Sequence, residues 1–193
     1  IGIGSLGDAV AQCCIVRHEQ NDKYRRVLDA LSPGQGSATQ DAPGRLDKGL
    51  YISTEMFVNG MMHLVERGIV KRRVYDDLFL QQSINEGLLD EVIDRRFFER
   101  ALAAGWLSPR LDEAALEKLR YWGAADESIQ LDGESLLVSG NTLANDLYDP
   151  ATLDAVLQAV EGNPLRNGRY LHGGFFLGPA DFYEKLRNLD VDG

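Results

Sequence analysis

The chain has 193 residues, of which 44% are hydrophobic and 26% charged, and its formal net charge is −10. This length and composition suit one globular domain or part of a larger protein, and they exclude a wholly disordered chain. The acidic excess argues against nucleic acid as a partner, and the lack of a long apolar run argues against a membrane segment or a signal peptide.

The N-terminal part begins with a glycine-rich turn. Residues 1–7 read Ile-Gly-Ile-Gly-Ser-Leu-Gly, which predicts the end of a strand breaking into a turn. From Asp8 to about Leu31 apolar residues recur at helical spacing, with a break near Asn21. Because the sequence starts inside the turn without a methionine, and stops soon after a helix-like stretch, we interpret it as a fragment of a longer polypeptide.

The two cysteines, Cys13 and Cys14, are adjacent. Neighbouring residues cannot easily form a disulfide, and there is no spaced second pair that could complete a zinc site. We therefore expect reduced thiols and a cytoplasmic location.

A linker separates the first helical region from a strand and helix. Residues 32–48 are rich in Ser, Pro, Gly, Gln, Ala and Thr, which predicts a surface loop. Residues 49–53 predict a short strand. Residues 56–67 predict an amphipathic helix that ends at Gly68, a typical residue after a helix C-terminus.

Residues 74–124 differ from the rest because leucines and aromatic residues recur every three or four residues along the chain. The spacing predicts about three helices, and the simplest interpretation of these residues is a helix–helix core. The remaining elements are predicted as strands at 129–131, 135–139 and 170–176 and as helices at 150–160, with Asp149 as N-cap, and 179–189. Strand–turn–helix units at both ends predict an α/β fold with a helical insertion.

The glycines of the first turn have the spacing Gly2-x-Gly4-x-x-Gly7 of the dinucleotide-binding fingerprint. Such a turn before a helix offers backbone N–H groups and the positive end of the helix dipole to a phosphate. A nicotinamide dinucleotide also needs an acidic residue at the end of a second strand about 20 residues further on. Asp22 and Asp29 lie instead in polar or helical sequence. A dinucleotide site, another phosphate- or thioester-binding loop and a purely structural turn stay open.

A second motif, Ser53-Thr54-Glu55-Met56, follows the predicted strand. A carboxylate at the carboxyl end of a strand lies where open α/β sheets bind ligands, and it can attack a thioester carbonyl as a nucleophile. The alternative is structural, because an acidic residue in the first turn of a helix interacts favourably with the dipole and Thr54 could cap that helix.

A third motif is His172-Gly173-Gly174-Phe175, which resembles the oxyanion loop of lipases. A serine hydrolase also needs Gly-x-Ser-x-Gly, which this sequence lacks, so we exclude that class. We interpret His172 as a packed or exposed turn residue, and an acid–base catalyst is the alternative. His18 and His63 have no partner at metal-ligand spacing, so we expect no metal site.

Three separated stretches carry longer motifs. They are Ile-Gly-Ile-Gly-x-Leu-Gly-Asp-Ala-Val at about residues 1–16, Gly-Leu-Tyr-x-x-Thr-Glu-Met-Phe-x-x-Gly with Leu-Val-Glu-x-Gly-Ile at 49–73, and Gly-Gly-Phe-Phe-Leu-Gly-Pro-x-Asp-Phe-Tyr at 170–187. Together they resemble the C-terminal half of the acetyl-CoA hydrolase/transferase family, the class I, glutamate-dependent coenzyme A transferases.

The resemblance implies a mostly parallel open sheet flanked by helices, formed by residues 1–73 and 125–193, with residues 74–124 as an all-helical insertion. It implies an enzyme of acetyl-CoA metabolism that acts on acyl-CoA and small carboxylic acids without a metal, and Glu55 as the residue that forms a glutamyl-CoA thioester. Coenzyme A would be held by two glycine segments: Gly2, Ile3, Gly4, Ser5, Leu6, Gly173 and Gly174.

The chain departs from the family's second coenzyme A motif, Gly-Gly-Gln-x-Asp-Phe. Six residues separate Gly174 from Asp181 here, and the glutamine is missing. Residues 32–48 and 74–124 have no counterpart in compact members. Family members bind substrate between two similar halves, so the resemblance implies the N-terminal half of the same polypeptide as a partner and an inactive chain alone.

Two alternative functions stay open beside this one. The first is a non-catalytic interaction module with a vestigial acid site, in which the helical insertion docks a partner. The second is a nicotinamide-dinucleotide-binding domain. The acyl group, the choice between water and a carboxylate as acceptor, and assembly into a homo-oligomer are also open.

Overall fold

A computed structural model of the chain describes residues 4–31 and 44–189. The chain divides into two compact units. The first unit contains the described residues up to Val74 and from Arg169 to Leu189, and the second unit contains Tyr75–Gly168. No helix in the described ranges is long and apolar enough to cross a membrane.

The elements alternate between the units in chain order. The first unit begins with α1 (Ser5–Glu19), α2 (Asn21–Leu31), β1 (Ile52–Val58) and α3 (Asn59–Glu66). The second unit contains α4 (Leu78–Asn85), α5 (Arg95–Ala103), α6 (Glu113–Tyr121), β2 (Ile129–Asp132), β3 (Ser135–Val138), β4 (Asn141–Ala144) and α7 (Pro150–Val160). The chain returns to the first unit with β5 (Leu171–Leu177) and α8 (Ala180–Arg187).

The first unit is organised by a parallel pair of strands. β1 pairs with β5 from Ile52 opposite Leu171 to Val58 opposite Leu177. Phe57, fully buried, packs its ring against Phe176 and Phe182, with ring centroids 6.3 and 5.8 Å apart. The rest of this core is aliphatic and comes mainly from α1, β1, α3 and the segment after α3: Ala11, Ile15, Ile52, Val58, Met61, Met62, Leu64, Ile69 and Val70.

The second unit has a separate core made by its helices and a three-stranded antiparallel sheet of order β2-β3-β4. Each of its four helices begins with an aspartate whose carboxylate accepts a backbone N–H of the first turn, and these N-caps are Asp77, Asp94, Asp112 and Asp149. Aspartate is favoured there because its oxygen satisfies an N–H that has no partner within the helix.

The predicted mixed α/β class is confirmed. The helical break near Asn21 and the α7 helix with its Asp149 cap are also as predicted, and Gly68 has a φ of 63° beyond the end of α3. The predicted mostly parallel sheet is represented in the described ranges by two strands only, and the other sheet is antiparallel.

The division into units differs from the one predicted. Residues 125–168, assigned from the sequence to the first domain, group with residues 75–124. The reason is packing: the side chains of Ile129, Leu136 and Val138 are buried in the same core as the leucines and aromatic residues of α4–α6. The insertion therefore carries its own sheet and is not all-helical.

The N-caps of the second unit provide a test of its stability. Asp77 caps α4 and also accepts the indole N–H of Trp106 at 2.8 Å, whereas Asp112 only caps α6. We expect Asp112→Ala to lower the free energy of unfolding by about 1 kcal/mol, the usual value of an N-cap. Asp77→Ala should cost about 1 kcal/mol more, because it also leaves the Trp106 N–H without its acceptor. Urea denaturation followed by tryptophan fluorescence measures both, and equal losses would contradict the prediction.

Candidate functional site

Glu55 lies inside β1 and not at its end. The strand continues through Met56, Phe57 and Val58, and α3 begins only at Asn59. The predicted position of Glu55 at the strand–helix junction is therefore wrong, and so is the structural alternative in which it belongs to the first helical turn. At about 3.3 Å per strand residue, Glu55 is roughly 13 Å from the start of α3. Its side chain is exposed and has no hydrogen-bond or ion-pair partner among the described residues.

The structure brings Glu55 beside Gly174. Glu55 lies between the register pairs Thr54–Gly173 and Met56–Phe175, which places Gly174 opposite it. A Cβ on Gly174 would be 3.1 Å from the backbone oxygen of Glu55, and one on Gly173 would be 3.3 Å from the Cβ of Phe57. Both glycines therefore permit close approach of the strands, and Gly174 leaves the sheet uncovered next to the carboxylate.

Three further polar groups share this face of the sheet. Side chains two residues apart in a strand point to the same side, so Ser53 and Glu55 lie on one face. His172 is opposite Ser53, and its Nδ1 is hydrogen-bonded to the hydroxyl of Tyr51 at 2.6 Å. The face therefore carries a carboxylate, a hydroxyl, an imidazole and a phenol. The sequence predicted His172 as a turn residue, whereas the structure places it in β5, held by Tyr51.

The N-terminal glycine loop lies at a different position. Gly2 and Ile3 are outside the described residues. Gly4, with a φ of 102°, precedes α1, and the exposed Ser5 and Leu6 form the first turn of that helix. Gly4 has open space around its Cβ position.

Helices α1 and α3 run in the same direction. Near their starts, a Cβ on Gly60 would be 3.2 Å from the carboxylate of Asp8, and near their ends Arg67 bonds Glu19 at 2.6 Å. Since α3 directly follows β1, α1 begins at the carboxyl edge of the parallel strands. Helix α8 begins at the same edge, three residues after the end of β5. Three helix N-termini therefore gather where open α/β sheets bind ligands.

These three N-termini differ from those of the second unit. The residues at their N-cap positions, Gly4, Val58 and Pro179, provide no side-chain hydrogen bond to the helix. The backbone N–H groups of the first turns are left without a side-chain cap, and the partial positive charge of each dipole is concentrated there. Such an edge is suited to an anion such as a phosphate.

A small pocket of about 240 Å³ lies between α1 and α3 near this edge, lined by Asp8, Gln12, Asn59 and His63 among others. Asn59 Oδ1 is buried without a hydrogen-bond partner in the described chain, and the Asn59 amide nitrogen lies 3.3 Å from His63 Nε2. Sequence analysis assigns no role to His63, because a histidine on a helix face has no signal beyond its spacing. Only the parallel packing of α1 on α3 brings the four residues together.

The imidazole of His63 is connected to α8 through Glu66. Glu66 bonds Lys185 at 2.9 Å and His63 Nδ1 at 2.9 Å. The Lys185 ammonium, and secondarily His63, lower the pKa of the Glu66 carboxyl below its ordinary value. This network connects the last turns of α3 and α8.

Strand β5 is exposed on both of its faces. Phe175 retains 61%, Phe176 42% and Leu177 48% of their surface, so the described residues leave an apolar strip uncovered. The backbone N–H of Ile52 donates to the carbonyl oxygen of Tyr170, so every second residue of β5 directs its backbone N–H and C=O groups toward β1. The backbone groups of the other β5 residues point to the opposite edge, where the described chain has no strand.

The requirements of a dinucleotide site are not met here. Helix α2 follows α1 directly and contains both Asp22 and Asp29, so neither of these carboxylates lies at the end of a second strand. In the same ranges, no three His, Cys, Asp or Glu side chains gather in a way that could hold a metal ion.

Comparison of the chain with models of known protein families, with curated proteins and with solved structures finds no match in any of the three.

The Glu66–Lys185 bond predicts a pH-dependent contribution to stability. A carboxyl whose pKa is lowered by folding stabilises the protein above its ordinary pKa of 4.5, and this contribution is lost as the pH falls through the lowered value. We expect Lys185→Met to cause a small destabilisation at pH 7, typical of an exposed ion pair, that disappears once the pH falls below the lowered pKa of Glu66. Arg187→Met is the control, since it removes a cation from the same helix without touching Glu66. Thermal denaturation across this pH range measures the effect, and a pH-independent difference would contradict it.

Proposed function

We propose that the chain is the C-terminal catalytic half of an acyl-CoA hydrolase or coenzyme A transferase, with Glu55 as the nucleophile. The observation that carries the proposal is Glu55 itself. It is an acidic side chain in the middle of a strand, with no structural partner among the described residues, directly beside Gly174. Neither capping nor an ion pair explains a carboxylate there, whereas acyl transfer needs one.

The distance between Glu55 and the helix edge suits coenzyme A. The molecule carries phosphates at one end and its sulfur at the other, joined by an extended pantetheine arm. In the proposed complex, the phosphates lie near Gly4, Ser5 and Leu6, where the uncapped N–H groups of α1 offer hydrogen bonds. In the proposed complex, the arm follows the exposed side chains of β5 past Gly174 and brings the thioester to Glu55.

The proposed reaction is two successive acyl transfers. The Glu55 carboxylate attacks the thioester carbonyl, the C–S bond breaks, and coenzyme A leaves as a thiolate, which gives a mixed anhydride. The thiolate then attacks the Glu55 carbonyl of the anhydride and releases the first acid as a carboxylate, leaving Glu55 as a thioester. A second carboxylate reverses both steps and leaves as its acyl-CoA. If water attacks instead, it releases coenzyme A and restores the Glu55 carboxylate.

A catalytic carboxylate also has to be enclosed, because removal of water strengthens its electrostatic interactions and keeps the intermediate from hydrolysis. Glu55 is exposed in the described chain. We infer that the N-terminal half of the same polypeptide covers this face. The uncovered Phe175 and Leu177 and the open edge of β5 support the inference, since strands left apolar and unpaired are sites of association.

The exposure of Glu55 is also what favours the second candidate, a non-catalytic interaction module. In that case the open face and β5 bind a partner, and Glu55 never carries an acyl group. The two functions differ in one chemical outcome, the formation of a thioester on Glu55.

Glu55→Gln separates the two candidates in the intact protein. We expect acyl-CoA followed by borohydride to convert Glu55 to the corresponding alcohol, because borohydride reduces thioesters and leaves carboxylates unchanged. Mass spectrometry of the peptide that contains Glu55 detects the conversion. Glu55→Gln should lose the modification and at least about a thousandfold of the activity, because an amide is a far weaker nucleophile. Unmodified Glu55 in an active enzyme, or full activity in Glu55→Gln, would refute the proposal.

The matched control is Glu184→Gln, which removes an exposed carboxylate from α8 in the same unit. It should keep both activity and borohydride labelling of Glu55. Equal circular dichroism and urea midpoints for the two variants would show that loss of activity in Glu55→Gln is chemical.

Ser5 provides a test of the coenzyme A phosphate site. Ser5→Asp places a negative charge at the uncapped start of α1, where it repels a phosphate and competes for the same N–H groups. We expect coenzyme A to bind at least about tenfold more weakly by isothermal titration calorimetry, a loss of about 1.4 kcal/mol. Ser5→Asn, of nearly the same size without the charge, should change binding less than about threefold. Equal affinities of the two variants would remove α1 from the site.

A further inference from the structure

The acidity of the protein is concentrated in the second unit. Residues 75–168 contain 18 acidic and 7 basic side chains, a formal net charge of −11, whereas the rest of the chain has 12 acidic and 13 basic side chains, a net charge of +1. The field around the second unit therefore attracts cations and repels anionic partners. None of the proposed catalytic residues lies in this unit.

The second unit also contains an open apolar groove of about 370 Å³ between α5, the start of α7 and the turn before α7. Its floor is formed by Leu102, Leu147 and Leu153, which belong to the buried core. Tyr148 lines its side with 65% of its surface exposed, and Pro150 lies next to it. An aromatic ring left so exposed beside buried leucines is typical of a surface that receives an apolar side chain.

Acidic side chains surround this groove. Glu99 lines it, is exposed and has no ion-pair partner among the described residues. Asp146 and Asp149 belong to the turn that carries Tyr148, and Asp154 bonds Arg95 at the other side. The groove lining and these three neighbouring aspartates together carry four carboxylates and one guanidinium, so the local charge has the same sign as that of the whole unit.

We propose that this groove binds a basic amphipathic segment of a partner protein, with an apolar side chain on the leucine floor and lysines or arginines facing Glu99 and the neighbouring aspartates. Charge complementarity identifies the occupant. A second copy of the chain would bring an identical acidic rim against this one, and an acidic peptide or nucleic acid would meet the same repulsion. The volume is near the lower limit of ligand pockets and fits one or two anchoring side chains.

The groove contains none of the proposed catalytic residues, and its proposed role does not depend on the coenzyme A chemistry. In this role, the inserted unit recruits a basic partner. Such a groove engages through a few apolar anchors, with surrounding charges that set the rate of association and its specificity.

The test uses the whole chain and three synthetic peptides of about 18 residues that form amphipathic helices. The first is made of leucine and lysine, the second has glutamate in place of lysine, and the third has alanine in place of leucine. Fluorescence anisotropy should show binding of the first peptide alone, weakened as the salt concentration rises because the charges are screened. Chemical-shift changes should map to Ala103, Leu147 and Tyr148.

Matched variants distinguish the groove from the general acidity of the unit. Glu99→Gln and Tyr148→Ala should each weaken binding about fivefold or more. The controls Glu127→Gln and Tyr121→Ala alter an exposed acid and an exposed tyrosine outside the groove, and they should change binding less than about twofold. Circular dichroism verifies that all four variants are folded.

Several outcomes would overturn the proposal. Equal losses in Glu99→Gln and Glu127→Gln, or binding of the alanine peptide as tight as that of the leucine peptide, would reduce the effect to nonspecific charge attraction. Tryptamine binding as tightly as the leucine–lysine peptide would assign the groove to a small aromatic amine. Self-association in analytical ultracentrifugation that Tyr148→Ala abolishes would assign it to a second copy, and no binding of any peptide would reject a basic segment.

Discussion

The pairing of β1 with β5 is the constraint on which the first unit depends. It joins segments far apart in the chain, as the Tyr51–His172 hydrogen bond across 121 positions illustrates. The register sets Gly174 beside Glu55, and it places the starts of α3 and α8 at one edge. Closing so long a connection would be entropically costly for a flexible chain. Here the intervening residues form a compact unit whose two ends are held by reciprocal backbone bonds between Val74 and Arg169, of 2.9 and 3.0 Å.

The helices of the two units differ in whether a side chain caps their N-termini. Capped N-termini contribute to stability, whereas uncapped N-termini can bind a ligand. Every helix of the second unit begins with an aspartate whose carboxylate accepts one backbone N–H of the first turn. In the first unit, α1, α3 and α8 begin without a side-chain cap at one edge of the sheet. A protein that leaves such groups unpaired forgoes some stability, and unpaired N–H groups are what a phosphate site requires.

The two units also differ in how much apolar surface they leave exposed. The leucines and aromatic residues of the second unit are mostly buried, whereas β5 leaves three consecutive large apolar side chains exposed. An uncovered edge strand is a liability unless another chain segment pairs with it. The proposed N-terminal half would cover this strip, remove water from Glu55 and pair the open edge. The acidic unit would remain available for a different partner.

Much of the local structure follows from the sequence, because local signals dictate it. The Asp149–Pro150 start of α7, the break near Asn21 and Gly68 after α3 depend on neighbouring residues only, and they lie where the sequence predicts them. Helix α3 begins later than predicted, since pairing with β5 extends β1 through Val58 and overrides the helical periodicity of Met56 and Phe57. Strand β4 has a weak pattern of its own and forms by pairing with β3.

The candidate site was predictable only in part. The residue types of Glu55, Gly173 and Gly174 indicated chemistry and close approach, but their juxtaposition is a property of the strand register, which no local signal contains. The pocket with Asp8 and His63, the Tyr51–His172 bond and the apolar groove beside Tyr148 likewise join residues distant in sequence. The sequence alone determined the break near Asn21, the Asp149 cap of α7 and the total charge, because these depend on composition and neighbours. Tertiary packing alone decided which of those groups face one another, because contacts between distant segments depend on how whole elements bury their apolar faces.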